Sequence, residues 1–240
     1  GHIVTTTSES TILSMLHGRA SLRPDEVAFT FTDYDRDAAG VAQHLTWSQL
    51  ARRTMNVAAH LRLHGSVGDR AVILAPQGLE YILAFLGSLQ AGLVAVPLPL
   101  PFPGSGHDRV GAVLTDTAPA VVLTTSTAAT DVAAYIADTP LPSPPVLVDI
   151  DALDLDAELA DPAGGEPAES QSLAYLQYSS GSTRQPTGVM LSHRNLTSNF
   201  DQLMRGFFAA SPLPPDATLV SWLPFYHDMG LVLGVCAPIL

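Results

Sequence analysis

The 240-residue sequence is 47% hydrophobic and 14% charged, a composition that supports a large buried core and argues against a wholly disordered chain. Its formal net charge is -12, from 11 basic and 23 acidic residues. This charge repels phosphate backbones and therefore argues against nucleic-acid binding and against a polybasic membrane anchor. The single cysteine, Cys236, excludes an intrachain disulfide and a cysteine metal cluster, which fits a reducing cytoplasm.

The start of the chain, 1–9, is polar and lacks the basic and apolar regions of a signal peptide. Its initial Gly-His pair without Met is typical of a tag remnant, so we expect a flexible start. The most apolar stretch, 81–100, is too interrupted to predict a membrane-spanning helix. Four residues interrupt it: Gln90, Gly92, Pro97 and Pro99.

Strand-like and helix-like segments alternate, which predicts an α/β fold with layered, largely parallel sheets flanked by helices. The predicted helices are 10–20, 46–64, 79–90, 108–117, 128–137 and 192–208. The predicted strands are 27–32, 70–74, 93–96, 120–125, 146–150, 173–178, 188–191 and 218–223. Thr46 and Ser192 are predicted N-caps, and Gly65 is predicted to follow the end of the second helix. Helix 79–90 is apolar on nearly every side, which predicts burial.

An acidic stretch separates the two halves of the sequence. Residues 149–169 contain eight acidic side chains, no basic ones, and several Pro and Gly residues, which predicts a solvated linker. We therefore expect a first α/β subdomain at 10–150, an acidic linker at 151–170, and a second region at 171–240. Because its last residues are apolar, we expect the natural protein to continue.

The most informative segment, 178–189, reads Tyr-Ser-Ser-Gly-Ser-Thr-Arg-Gln-Pro-Thr-Gly-Val and lies between two predicted strands. Its hydroxyls and backbone N–H groups could cradle a polyphosphate, Gly181 permits close approach, and Arg184 can reach phosphate oxygens in bidentate fashion. On composition alone, an ordinary Ser/Thr-rich turn is the more common outcome. The segment lacks the Gly-Lys-Ser/Thr of a nucleotide P-loop and the Gly-x-Ser-x-Gly of a hydrolase.

A second segment, 221–231, reads Ser-Trp-Leu-Pro-Phe-Tyr-His-Asp-Met-Gly-Leu. Its His227 could act as a general base, a metal ligand or a polar wall of a pocket, and a purely structural histidine is the common alternative. Asp228 is adjacent, and neighbours on a strand point to opposite faces, so a catalytic His–Asp pair is not expected here.

Together these segments resemble the adenylate-forming superfamily, which comprises acyl-CoA synthetases, peptide-synthetase adenylation domains and luciferases. Most members have a second Gly after the Ser-Gly-Ser-Thr core and a Lys before the final Gly. Here Arg184 and Thr187 occupy those places, which resembles the fatty acyl-AMP ligase branch. Weaker resemblances at 45–50, 68–72 and 89–98 extend the similarity over roughly 10–240.

The resemblance implies an enzyme that uses Mg²⁺ and ATP to convert a fatty acid to acyl-AMP and pyrophosphate. The acyl group would then pass to a polyketide-synthase carrier domain or a free acyl carrier protein, in cytoplasmic lipid biosynthesis. His227 would line the place where the carboxylate meets the α-phosphate. The implied tunnel-mouth residues are His227, Asp228, Met229 and Gly230. The implied phosphate-binding residues are Ser179, Ser180, Gly181, Ser182, Thr183, Arg184 and Gly188.

Two other functions stay open: part of a fatty acyl-CoA synthetase, and a non-catalytic nucleotide- or lipid-binding module. The resemblance also implies that the adenine- and ribose-binding segments, a branch-specific insertion and a C-terminal domain with its Lys lie beyond residue 240. We therefore expect the chain alone to be inactive. The sequence contains no signal for acyl chain length, partner synthase or oligomeric state.

Three further features are weaker candidates. His60 and His64 have a spacing that can hold a metal on a helix, but no third ligand is evident nearby, which favours a solvated face. The acidic stretch lacks the alternating ligands and central Gly of a calcium loop. The segment Gly104-Ser105-Gly106 could hold a phosphate, although a simple connection between two elements is the favoured interpretation.

Overall fold

The computed structural model describes residues 10–101, 109–159, 172–178, 186–208, 214 and 217–240. In chain order the first elements are α1 (Ile12–Leu22), β1 (Val27–Asp33), β2 (Val41–Thr46), α2 (Trp47–Leu61), β3 (Arg70–Leu74), α3 (Leu79–Gln90), β4 (Val94–Leu98) and α4 (Arg109–Thr117). They are followed by β5 (Val121–Thr124), α5 (Ala129–Asp138), β6 (Val146–Asp149), β7 (Leu173–Tyr178), β8 (Gly188–Ser192), α6 (His193–Phe208), α7 (Asp228–Leu231) and α8 (Ala237–Ile239). A 3-10 turn, Ile150–Ala152, follows β6, and a π-helical turn, Val232–Cys236, joins α7 to α8.

The central sheet has six strands in the order β6-β5-β3-β4-β7-β8. Its neighbouring strands are parallel except for the antiparallel pair β7 and β8. Alternate residues of β3 and β5 enter two separate cores, since Ile73 and Leu123 pack on one face and Val72 and Val122 on the other. Helices α1, α2 and α3 cover the first face, while α4 and α5 cover the second. The predicted layered α/β fold is confirmed.

Helix α3 is predicted from the sequence to span 79–90 and to be buried, and the structure has a helix with these bounds. Every residue of α3 except Glu80 is buried. Gly87 allows α3 to approach α2, because a Cβ atom at this position would lie 2.3 Å from Val57 Cγ1. The close contact of these two helices therefore depends on the absence of a side chain at one position.

The predicted start of α2 is confirmed, whereas its predicted end is wrong. Thr46 caps the helix: its hydroxyl accepts from the Gln49 N–H at 3.2 Å, and the Gln49 Oε1 atom accepts from the Thr46 N–H at 2.9 Å. The helix ends at Leu61 and not at residue 64. Residues 63 and 64 form a tighter turn in which the His64 N–H donates to the Leu61 carbonyl, so Gly65 does not directly follow the helix.

Two strand predictions also need correction. The predicted strand 218–223 is wrong: within the described residues this segment pairs with no strand, and Val220 and Trp222 are 82% and 87% exposed. An apolar run becomes a strand only where a partner strand is available. Conversely, β2 was not predicted because polar Gln43 and His44 interrupt its apolar residues. It pairs with β1 as an antiparallel two-stranded sheet.

The described part of the acidic stretch contacts helix α2. Arg53 donates two hydrogen bonds to Asp156, at 3.0 and 2.9 Å, and the Asn56 amide donates to the carbonyls of Leu155 and Ala157. Beyond it, β7 and β8 join the same sheet as β3–β6. The division into two subdomains stays a prediction. No helix among the described residues is long and apolar enough to cross a membrane.

Candidate functional site

Strands β7 and β8 form the base of the hairpin that carries the predicted phosphate loop. Tyr178 ends β7 and stands directly opposite Gly188, the first residue of β8. A Cβ atom on Gly188 would lie 2.8 Å from Tyr178 Cζ, so the tyrosine ring lies across the glycine. The other predicted phosphate-binding residues lie outside the described part of the chain: Ser179, Ser180, Gly181, Ser182, Thr183 and Arg184.

A hydrogen bond ties this hairpin base to helix α4. The Tyr178 hydroxyl donates to Asp116 Oδ2 at 2.5 Å. Burial, followed by the bond to Asp116 and the charge of that carboxylate, raises the pKa of Tyr178 well above its usual value. The phenol therefore stays protonated and acts as a donor, holding the end of β7 against α4.

A cleft of about 450 Å³ opens between β7, β8, helix α6 and the segment 227–233. The hairpin base contributes Tyr178 and Val189, and the second motif contributes His227, Asp228 and Met229. The remaining lining residues are Tyr175, Gln177, Leu191, Asn199, Leu203, Val232 and Leu233. The tertiary structure thus brings the ends of the predicted loop and the histidine segment, far apart in sequence, to one cavity.

His227 stands immediately before helix α7 and is not on a strand. Its backbone is extended, and its carbonyl accepts from the Leu231 N–H at 2.9 Å. Its exposed ring lies beside the ring of Tyr226, with the centroids 4.8 Å apart. The carboxylate of Asp228 instead accepts from the Met229 N–H at 2.7 Å. The strand geometry assumed for this pair is therefore wrong, since both residues belong to a helix start.

Gly230 allows the start of α7 to touch the preceding turn. A Cβ atom at this position would lie 2.0 Å from the Pro224 carbonyl oxygen and 3.0 Å from the Leu223 carbonyl oxygen. No side chain fits there, because both atoms belong to the backbone. Gly230 thus shapes the segment that carries His227 and Met229 into the cleft, while a role at an acyl tunnel stays a prediction.

The sequence analysis missed several lining residues, of which Gln177 is the clearest. It is 9% exposed on β7, and its Nε2 atom donates to the Tyr226 carbonyl at 3.0 Å. A signal for it existed, since it is the one polar amide in the run Leu-Ala-Tyr-Leu-Gln-Tyr. Tyr175 and Asn199 had no comparable signal.

The single cysteine belongs to the buried core and is not among the residues that line the cleft. Cys236 is fully buried, and burial raises the pKa of its thiol to about 12. The thiol therefore remains protonated and is no nucleophile near neutral pH. Burial likewise raises the pKa of Tyr175 far above its ordinary value, so neither group supplies charge to the cleft.

The His60 and His64 rings lie 5.0 Å apart. Burial, with a smaller effect of His64, lowers the pKa of His60. Among the residues that the structure describes, no group of three or more His, Cys, Asp or Glu side chains could hold a metal ion.

A largely parallel sheet covered by helices on both faces, with a cleft lined by β7, β8 and α6, defines the chain as a layered α/β domain. The model of one protein family, the AMP-binding enzymes, matches residues 16–240. The chain belongs to this family.

Within this family, the chain is similar in sequence to proteins named as fatty-acid ligases. The chain is 56% identical over 229 residues to the long-chain-fatty-acid--AMP ligase FadD28 of Mycobacterium tuberculosis, covering 94% of this chain and 39% of that protein. It is 57% identical over 233 residues to a Mycobacterium leprae protein provisionally named fatty-acid--CoA ligase FadD21, covering 96% and 40%. The chain therefore spans about two fifths of the length of these relatives.

Among solved structures, the chain is similar in fold to two enzymes of the same kind. The crystal structure of a fatty acid AMP ligase from Legionella pneumophila matches with a TM-score of 0.81 and 29% identity, covering 98% of this chain and 38% of that one. A second Legionella structure, with a TM-score of 0.79, is a fatty acyl-adenylate ligase in complex with acyl adenylate and pyrophosphate. That match also covers 98% of this chain and 38% of that chain, at 29% identity.

Proposed function

We propose that this chain is the N-terminal, phosphate-binding part of a fatty acyl-AMP ligase, an enzyme that activates a fatty acid with ATP. One observation carries the proposal: the base of the hydroxyl-rich hairpin and the His227 segment line the same cleft. Identity of 56% to a named long-chain-fatty-acid--AMP ligase supports it.

The proposed first step is an in-line displacement. A carboxylate oxygen of the fatty acid forms a bond to the α-phosphorus of Mg-ATP, and the bond from that phosphorus to pyrophosphate breaks. Negative charge moves onto the leaving pyrophosphate, so donors placed around it stabilise the transition state. The hydroxyls and N–H groups of 179–183 and the Arg184 guanidinium would hold the β- and γ-phosphates.

His227 would contact the fatty acid carboxylate or the α-phosphate from the opposite wall of the cleft. Its exposed imidazole suits an electrostatic or positioning role. Mg²⁺ would arrive with ATP, since this ion commonly binds substrate phosphates with one or two carboxylates. Asp228 is a carboxylate on the same wall.

The proposed second step transfers the acyl group from AMP to a thiol. The thiol sulfur would form a bond to the carbonyl carbon, and AMP would leave. We propose the phosphopantetheine thiol of an acyl carrier protein or polyketide-synthase carrier domain as acceptor, in cytoplasmic lipid biosynthesis. This choice depends on the branch, which Arg184 and Thr187 support.

Free coenzyme A is the second candidate acceptor, which the name of the Mycobacterium leprae relative favours. Product analysis separates the two: a fatty acyl-AMP ligase stops at acyl-AMP when only coenzyme A is supplied, whereas a synthetase produces acyl-CoA. A non-catalytic binding module would bind ATP or lipid and form neither product.

Two assays of the complete gene product test the proposal. One is ATP–pyrophosphate exchange, and the other is calorimetry with ATP and with an acyl-sulfamoyl adenosine. Arg184→Ala should weaken ATP binding by about tenfold or more, because a charge-assisted bidentate contact is lost. Arg205→Ala, an exposed arginine on α6, is the matched control and should bind ATP normally. Absence of exchange, or equal affinity in both variants, would contradict the proposal.

A further inference from the structure

The turn 223–227 carries His227 into the cleft and is continuous with regular structure on one side only. On its C-terminal side, helix α7 runs without a break into the π-helical turn Val232–Cys236 and α8. On its N-terminal side, within the described residues, the segment 217–222 is exposed and pairs with no strand. Contacts from elsewhere in the molecule therefore help to place the N-terminal side of this turn.

Gln77 supplies the first of these contacts. It follows β3, and its side-chain amide makes two hydrogen bonds to the turn. Its Nε2 atom donates to the Leu223 carbonyl at 3.0 Å, and its Oε1 atom accepts from the Phe225 N–H at 3.0 Å. One planar amide thus satisfies a carbonyl and an N–H of the turn, as a neighbouring strand would.

Gln177 supplies the second contact, from strand β7. Its amide nitrogen donates to the Tyr226 carbonyl, one residue before His227. Gln77 follows β3, and Gln177 belongs to β7. Together they contact the backbone of three residues of the turn: Leu223, Phe225 and Tyr226.

Fold stability alone does not explain Gln177. Its Oε1 atom is buried and has no hydrogen-bond partner among the described residues. A buried acceptor without a partner destabilises a fold, so the Gln177 amide makes its bond to the Tyr226 carbonyl at a cost in stability. A half-satisfied amide on the wall of a cleft points to a functional requirement.

His227 depends on this placement because its own ring is weakly held. Within the described part of the chain its imidazole makes no hydrogen bond, and the Tyr226 ring is its aromatic neighbour. The apolar side of the turn is fixed by Phe225, which is buried and lies 5.9 Å from the Tyr81 ring. The amides fix the polar side.

We propose that Gln77 and Gln177 are positioning residues for acyl-adenylate formation, which act by holding the backbone 223–226 so that His227 faces the reacting groups. This inference rests on the proposed function. Neither glutamine needs to touch the substrate, and both act through His227.

A double-mutant cycle in the complete gene product tests the inference. Gln77→Met and Gln177→Met are introduced into the wild type and into His227→Ala, and ATP–pyrophosphate exchange is measured. In the wild type each change should lower kcat/KM by about 10- to 100-fold, the range expected for a misplaced positioning group. In His227→Ala the same change should cost less than about twofold, since the group it positions is absent. Gln43→Met, on the separate two-stranded sheet, should leave the rate unchanged.

If each change lowered kcat/KM by the same factor in the wild type and in His227→Ala, or did not lower kcat/KM in the wild type, the inference would be overturned. If Gln177→Met fails to fold, the exposed Gln77 carries the test by itself.

A second measurement does not depend on turnover. In protein labelled with ¹³C-histidine, the His227 Cε1–Hε1 resonance, assigned from its absence in His227→Ala, should move in Gln77→Met and Gln177→Met but not in Gln43→Met. An unmoved resonance would refute the positioning role. If the wild type shows no exchange but the His227 resonance still moves in the two glutamine variants, the proposed function is contradicted while the placement of His227 by the glutamines stays supported.

Discussion

At the scale of single residues, some backbone contacts near the cleft are so close that only glycine leaves enough room for them. Gly230 is the clearest example, because the atoms nearest to a Cβ at this position are carbonyl groups of the preceding turn. Backbone carbonyls cannot rotate away as a flexible side chain can. The cost of a substitution here is therefore a displacement of the turn or of α7.

Gly230→Ala should lower the free energy of unfolding by about 1–3 kcal/mol, as overpacking does, and should reduce exchange activity. Gly18→Ala is the matched control, because Gly18 is exposed in α1 and a Cβ there would have nothing within 4 Å. That change should raise stability by about 0.5–1 kcal/mol. Urea unfolding of both variants checks the prediction, and equal stability of the two would refute it.

A buried histidine makes stability depend on pH. His193 opens α6 and is 3% exposed, its Nδ1 atom has no hydrogen-bond partner in the described part of the chain, and burial lowers its pKa to about 4. In the unfolded chain its pKa is about 6.5. Between these values the unfolded state binds more protons, so stability is full above pH 6.5 and falls as the pH drops toward 4.

The expected loss from this group is about 2 kcal/mol between pH 7.5 and pH 5. His193→Gln, which cannot titrate, should lose that much less stability over the same interval. Chemical unfolding of both proteins at the two pH values measures the difference. Parallel curves would show that His193 is not the titrating group.

At the scale of elements, sequence patterns worked where local chemistry decides the outcome. Strands β3 and β7 and helix α3 were predicted at their observed bounds, since continuous apolar runs between breakers have few alternatives. The segment 218–223 has the same apolar character but forms no strand within the described residues. Strand β2 forms in spite of its polar residues because β1 lies beside it. Pairing partners, which composition does not reveal, made the difference.

The start of α2 offers a test at this scale. Thr46 ends β2 and caps α2 through its reciprocal bonds with Gln49. Thr46→Ala should cost about 1 kcal/mol of stability, because the N-cap acceptor is lost. Thr46→Ser keeps the hydroxyl and should remain within a few tenths of a kcal/mol of the wild type. Denaturant midpoints distinguish the two, and similar losses would mean that the hydroxyl is not the cap.

At the scale of the whole molecule, the chain matches about two fifths of the length of its relatives. The family resemblance places adenine- and ribose-binding residues in the part that this chain does not match. We therefore expect the 240-residue chain alone to show no ATP–pyrophosphate exchange above background with a fatty acid, whereas the complete gene product should be active. Robust exchange by the 240-residue chain would contradict this expectation.

The sequence by itself determined the α/β class, most helices and strands, and the two motifs that resemble acyl-adenylating enzymes. Each of these depends on residues close together along the chain, where periodicity, caps and loop composition operate. Only the tertiary structure decided that Gln77 bonds to a turn 146 residues away, that Gly230 lies against the Pro224 carbonyl, and that the base of the first motif lines the same cleft as His227. Such contacts arise from the packing of sheet and helices, because burial brings together residues whose separation in sequence has no pattern.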